Sequence, residues 1–256
     1  MQDTSWEKGA SWYDSITTQN GHYYHNNLIF PKLKQLVQIK KSKNPSVLEI
    51  GCGQGALGRA CFSKVPYLGL DTSKTLLLLA RKHQKNPLHK FVLQDATRAY
   101  SLDQKFSHII FLLSLQNMHD QEMALKHAAS HIRPNGNLIV VLNHPCFRIP
   151  RQSSWGIDHK QKIQYRRINQ YSSSMKIPIK IHPGKKEERE NILWSFHRPL
   201  AKYFEYINKI GLAVSELHEW YCPKISQGKN AKMENNARKE FPLFLTIVAN
   251  PFHQVC

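Results

Sequence analysis

An α/β fold, with helices wound on both faces of a mostly parallel sheet, is predicted by three features of this 256-residue sequence. Short apolar runs alternate with helix-like segments between residues 45 and 143. The first run opens into Gly51-Cys-Gly53-Gln-Gly55, a turn with glycine at every second position. The next two runs each reach an acidic residue, Asp71 and Asp95, at or just past their ends. A chain with 41% apolar residues can bury a full core, and one such sheet uses most of its length. Four segments follow: an N-terminal cap at 1–44, a core at 45–143, an insertion at 144–196 and a C-terminal part at 197–256 that completes the sheet.

In chain order, the cap holds Trp6, Trp12, Tyr13, Tyr23 and Tyr24 ahead of a helix-like run from Pro31 to Lys41. Val47, Leu48 and Ile50 read as a buried parallel strand. The glycines behind it let the backbone turn sharply and approach a ligand with no Cβ in the way. Leu57 to Lys64 starts a helix, Tyr67-Leu-Gly-Leu70 is a second strand, and Phe91-Val-Leu93 is a third. Asn137-Leu-Ile-Val-Val-Leu142, after a Pro134-Asn-Gly136 turn, is a fifth buried strand. Residues 144–196 break the rhythm: they are polar and basic, contain Pro145, Pro150, Pro178 and Pro183, and are too long for a plain loop. Their expected place is over the carboxyl ends of the strands, as a substrate lid. The rhythm returns with a helix from His197 to Ile210 closed by Gly211, an edge strand from Leu212 to Trp220 and a last strand from Phe241 to Asn250.

Three strand ends on one edge of a parallel sheet make a cleft. Asp71 stands twenty residues after Gly51, where an acid can accept hydrogen bonds from both hydroxyls of a ribose. Gly53-Gln-Gly55-Ala-Leu-Gly58 matches G-x-G-x-x-G, so a dinucleotide is one candidate occupant. Glu49, just before the turn, weighs against a pyrophosphate there and suits a ligand carrying an ammonium and a sulfonium.

Glu49-Ile-Gly51-Cys-Gly53-Gln-Gly55, then Gly69-Leu-Asp71-Thr-Ser73, then Gln94-Asp95-Ala96 resemble, in order and spacing, the consecutive signatures of class I S-adenosylmethionine-dependent methyltransferases. The resemblance covers about residues 46–145, and Phe111-Leu-Leu113-Ser-Leu-Gln-Asn117-Met-His119-Asp is similar to the fourth strand and exit loop of the ubiquinone/menaquinone-type enzymes. It implies a Rossmann-like, doubly wound sheet of seven strands whose last strand runs antiparallel between its neighbours. It also implies S-adenosylmethionine as co-substrate. Gly51 and Gly53, with Glu49 and Cys52, would face the methionine part, Asp71 and Thr72 the ribose, Asp95 and the Ala96 backbone the adenine, and Leu112 and Leu113 would close the site. Tyr24, Asn117 and Trp155 are the expected substrate contacts.

Methyl transfer from a sulfonium needs orientation, exclusion of water and, for a protonated acceptor, a base. His119, after the fourth strand, and His144, after the fifth, are the best-placed bases by chain position. Asn143-His-Pro145-Cys146-Phe147 is partly similar to the Asn-Pro-Pro-aromatic and Pro-Cys turns of nucleic-acid methylating enzymes, but follows a different strand. Its simpler reading is a turn that leads into the insertion.

Composition bounds the partners. A net charge of +18 would also suit a nucleic-acid binder, but residues 148–190 carry only +7 of it and the rest is spread along the chain. A small-molecule acceptor is therefore preferred, with an RNA acceptor on the basic insertion as the alternative. A non-catalytic cofactor-binding protein of the same fold is the third reading. No apolar run reaches the ~20 residues of a membrane span, and the start lacks the pattern of an export signal. Five cysteines without paired spacing favour free thiols and a cytoplasmic setting. No Cys/His spacing resembles a zinc site, so no metal is expected.

Overall fold

In the computed structural model, residues 6–17, 21–37, 39, 42–180 and 192–252 are described below. A seven-stranded sheet forms the centre, built from β1 (Val47–Ile50), β2 (Tyr67–Asp71), β3 (His89–Leu93), β4 (Phe106–Leu112), β5 (Ile132–Asn143), β10 (Leu212–Trp220) and β11 (Phe244–Pro251). Its order is β10-β11-β5-β4-β1-β2-β3. β1 to β5 run parallel, and β11 lies antiparallel between β5 and β10, as the resemblance implied.

Successive residues of a strand face opposite sides of a sheet, so each central strand supplies both layers of the core. Leu48, Ile109, Leu138 and Ile247 pack with Ala124, Leu125, Tyr203 and Ile207 of α5 (Gln121–Ala129) and α6 (Leu200–Lys209). Their neighbours Val47, Ile110, Ile139 and Val248 pack with Leu33, Leu57, Leu77 and Ala80 on the other face. Those belong to α2 (Phe30–Val37), α3 (Ala56–Cys61) and α4 (Lys74–His83). α1 (Ala10–Thr17) precedes this layer.

Several elements differ from the sequence expectation. The helix expected from Pro31 begins at Phe30, behind a π-helical turn at His25–Ile29. Pro31 has no N–H to give an α-helical ladder, and the wider turn ahead of it meets that lack. The expected Pro134-Asn-Gly136 turn lies inside β5, as an irregularity where pairing jumps from Phe106↔Ile132 to His108↔Asn137. α6 starts after Pro199, and His197 ends a strand instead. The insertion contains two antiparallel hairpins rather than irregular chain: β6 (Ser153–Asp158) with β7 (Ile163–Ile168), and β8 (Met175–Lys180) with β9 (Ile192–His197). A further helix, α7 (Ala231–Glu240), precedes β11.

The turn after β1 is the tightest point of the layer. Gly55 has φ +72°, and a Cβ there would lie 2.7 Å from the Phe91 ring. Gly55→Ala is therefore expected to destabilise the fold by about 1–3 kcal/mol through overpacking and backbone strain, with the urea m-value unchanged. Urea unfolding followed by circular dichroism measures it, and an unaltered midpoint would mean that Phe91 yields freely.

Candidate functional site

A cavity of about 1220 Å³ runs along the carboxyl ends of the parallel strands, across the point where strand order reverses between β1 and β4. The turn after β1 forms one wall. Gly51 N–H and Cys52 N–H both donate to Leu70 O, which ties the turn to the end of β2. Gly51 has φ +72°, and a Cβ on it would sit 2.5 Å from the Ser114 Cβ. The hydroxyl of Ser114 in turn donates to Ile50 O. At Gly53, φ is +54° and the nearest atom to an added Cβ is in the Tyr13 ring at 3.5 Å. The backbone is thus bare where the cavity meets it.

Asp71 fixes this wall. Its Oδ2 accepts from Gly53 N–H and its Oδ1 from Ser73 N–H, each at 2.8 Å. Burial pushes its pKa up, against the pull of these N–H donors. Ser73 caps α4 by accepting from Leu76 N–H. Across it lies Glu7, which accepts from the Ser73 hydroxyl and from Thr75 N–H and Oγ1–H. Burial acts to raise the Glu7 pKa, yet the hydrogen bonds from Ser73 and Thr75 leave it below the ordinary carboxylate value. Trp6 lines the cavity and meets the Tyr13 ring edge-on at 5.5 Å. The Trp6 indole N–H is buried without an acceptor among the described residues.

Beyond β3, Asp95 Oδ1 accepts from Thr97 N–H and Oγ1–H, and its other oxygen lies 3.4 Å from Arg98 Nε. Ala96 is buried beside it. Beyond β4, Leu113 takes φ +54°, a conformation that costs a non-glycine residue of order 1 kcal/mol or more. Asn117 Nδ2–H donates to Leu113 O and holds that strained turn.

Of the residues singled out in the sequence, Gly51, Gly53, Asp71, Thr72, Asp95, Ala96, Leu112, Leu113, Tyr24, Asn117 and His119 line this one cavity. The others do not. Glu49 is fully buried behind the turn, receives the Tyr67 hydroxyl on Oε2, and lines a separate cavity of about 20 Å³ with Cys52. Burial, chiefly, pushes the Glu49 pKa up to about 8, with the Tyr67 hydrogen bond acting the other way. The carboxyl is thus turned away from the large cavity, and its chain position does not present it to a ligand there. Trp155 sits on β6, exposed, with its ring under Arg166 and against Phe241.

His144 also fails the geometric test for a base. Its Nδ1 accepts from Cys146 N–H at 3.2 Å, so Nε2 carries the proton, directed at Glu219 Oε1 at 3.0 Å. Both ring nitrogens are committed, and the residue fastens the exit of β5 to β10. Cys146 lies outside the cavity, and burial raises its thiol pKa, which removes the Pro-Cys nucleophile reading. Glu7, Ser114, Arg148 and Phe244 line the cavity but were not singled out from the sequence. Only the proximity of Arg148 to the Asn143–Phe147 motif could have flagged one of them.

Comparisons with known proteins agree with this geometry. A protein-family model described as "Methyltransferase domain" matches residues 48–138. The chain is 23% identical over 212 residues to a malonyl-[acyl-carrier protein] O-methyltransferase of Priestia megaterium, covering 76% of this chain and 77% of that protein. It is 30% identical over 116 residues to a ubiquinone biosynthesis O-methyltransferase of Coxiella burnetii, covering 44% of this chain and spanning only 50% of that relative. Among solved structures, an S-adenosylmethionine-dependent methyltransferase from Listeria monocytogenes, described as putative, superposes with a TM-score of 0.65 at 17% identity, covering 88% of this chain and 98% of that one.

The buried Glu49 carboxyl makes stability depend on pH. Its folded pKa of about 8 lies above its ordinary value of 4.5, so the folded state holds a proton that the unfolded state releases between those values. Stability should fall as pH rises through that window, with a slope of at most about 1.4 kcal/mol per pH unit from this group. Glu49→Gln should flatten the slope in urea unfolding across pH 5 to 8. A variant curve parallel to wild type would show that Glu49 is not the group responsible.

Proposed function

Because this chain is a class I S-adenosylmethionine-dependent methyltransferase, we propose that it methylates a small-molecule acceptor held in the same cavity as the cofactor. The observation that carries this reading is the continuity of the cavity, from the glycine turn to the ends of β5 and β11. Its volume of about 1220 Å³ exceeds the range of about 300–1,000 Å³ for one ligand, which leaves room for a donor and an acceptor together. The names of the two curated relatives, both O-methyltransferases, support the reaction class.

Bound S-adenosylmethionine supplies a methyl group already activated on a sulfonium, so the protein's work is binding, orientation and exclusion of water. In this reading Asp71 receives the ribose hydroxyls on the lone pairs that Gly53 and Ser73 leave open, since an ionised carboxylate has about four acceptor sites. Gly51 and Gly53 let the methionine part lie against bare backbone, and Thr72 borders the ribose. Asp95 and Ala96 border the adenine, and Leu112 and Leu113 pack beneath it. Trp6 and Tyr13 roof the cofactor end, where the unpaired Trp6 N–H and the open space above Gly53 support occupancy. Tyr24 and Asn117 line the acceptor end. His119, edge-on to Phe196 in the cavity wall, is the residue placed to take a proton from a protonated acceptor. No further catalytic group is required by the chemistry.

The proposed setting is the cytoplasm, supported by Cys52, Cys61, Cys146 and Cys222 as free thiols. Among the described residues no helix is long and apolar enough to cross a membrane.

Calorimetry with S-adenosylhomocysteine tests the cofactor assignment. Asp71→Asn removes the charge from the ribose hydrogen bonds, each of about 1.5–3 kcal/mol, and should weaken binding at least tenfold. Equal affinity of variant and wild type would refute the ribose role. Tight NAD binding by the wild type would refute the cofactor class.

A further inference from the structure

Among the described residues, four carboxylates line the cavity, together with Lys74 and Arg98 near them and Arg148 and Lys176 farther along. Its carboxylates are all engaged: Glu7 on Ser73 and Thr75, Asp71 on Gly53 and Ser73, Asp95 on Thr97 and Arg98, and Asp120 as the cap of α5 through Met123 N–H. Three of these stand at the cofactor end. Past β5 the cavity is bordered by Arg148 and Lys176, and Lys176 Nζ lies over the Trp194 ring at 4.0 Å.

Arg148 is held in place without a carboxylate. Its N–H donates to His144 O at 2.7 Å, its Nη1 reaches Leu243 O at 3.4 Å, and its guanidinium lies over the Phe244 ring at 5.2 Å. Phe244 pairs with Asn143 across β11 and β5, which puts the guanidinium above the strand ends on the far side of β4 from the glycine turn. Tyr24, Cys222 and Arg166 are the titratable groups around it, and no acid among the described residues is paired with it. The Nε–Nη2 edge donates to none of the described residues. This half-buried guanidinium keeps donors free for a ligand, and burial lowers its pKa.

Resting on the proposed small-molecule reaction, we infer that the methyl acceptor is an acid, and that Arg148 binds its carboxylate or phosphate through the Nε–Nη2 edge. That edge matches either group bidentately, as a lysine ammonium cannot. Tyr24 and Phe244, whose rings lie 5.9 Å apart beside it, give the part of the acceptor next to the anion an aromatic wall. Arg148 thereby sets specificity and position, while the transferred methyl comes from the cofactor at the other end of the cavity.

The test uses label transfer from methyl-labelled S-adenosylmethionine into a small-metabolite extract freed of protein and nucleic acid, then split on a strong anion exchanger. The expected acceptor is in the retained fraction, and phosphatase treatment of that fraction separates a phosphate, whose acceptor activity is lost, from a carboxylate, whose activity survives. With this fraction, Arg148→Gln should raise KM at least about tenfold with a smaller change in kcat, and Arg148→Lys should restore part of the loss. S-adenosylhomocysteine affinity should stay within about twofold in both variants, because the contacts of Arg148 are to His144, Leu243 and Phe244 and not to the residues of the cofactor end. Label in the unretained fraction, or an unchanged KM in Arg148→Gln, would overturn the inference while leaving the small-molecule reaction standing. Loss of S-adenosylhomocysteine binding in both variants would also overturn it, by making Arg148 a structural residue. No label in this extract, with label entering RNA or protein of the unfractionated extract, would instead overturn the proposed reaction itself.

Discussion

The Asp71 carboxylate joins two turns that are otherwise independent. It receives Gly53 N–H from the turn after β1 and Ser73 N–H from the turn after β2. Gly51 and Cys52 N–H, both on Leu70 O, brace the same pair of strand ends through the backbone. Three glycines between 51 and 55 take positive φ, and such a turn would gain entropy by disordering if nothing received its N–H groups. The cavity wall, the cap of α4 and the attachment of Glu7 all sit on this one carboxylate and its immediate neighbours. The cofactor end is thereby fixed before any ligand contributes, which lowers the entropy that binding must overcome.

The parallel half of the sheet was legible because its strands are buried on both faces and so appear as short uninterrupted apolar runs ending at glycine or acid. The edge strand β10 was legible from alternation. α7 was not, because it buries only Ala237 among a run of Lys, Glu, Asn and Arg and so leaves no apolar period to read. The hairpins of the insertion were missed for a related reason. β6 and β7 fully bury no residue on either face, and β8 contains Pro178 at a paired position opposite Trp194. Polar chain with proline reads as loop, although a two-stranded ribbon with open edges tolerates both.

Among the site residues, those set by backbone position were readable and those set by side-chain direction were not. Gly51, Gly53, Asp71 and Asp95 stand at strand ends whose location follows from the strands themselves. Glu49 stands at the same edge, yet its side chain turns back to Tyr67, and the alternation within β1 gives no hint of that buried partner. His144 follows a strand end as His119 does, and only the distant Glu219 in β10 distinguishes their fates. Trp155 belongs to an aromatic-rich insertion but packs on its outer side with Arg166, whose Nε and Nη2 donate to Phe147 O and Ser153 Oγ rather than projecting toward a partner. Contacts with a different element of the fold decided each case, and local pattern carries no record of them.

The placement of β11 bears on how the chain assembles. β10 pairs only with β11, and β11 alone joins it to β5. During synthesis, everything through β10 can emerge while β5 still presents an unpaired edge along its apolar run Leu138 to Leu142, because its partner Phe244–Pro251 has not been made. The insertion and α6 lengthen that interval, and such an open edge is where a nascent chain pairs wrongly or recruits a chaperone. Closure of the sheet from its middle rather than its rim makes the last contacts to form also among the most buried ones, so the final step of folding is expected to be slow and cooperative.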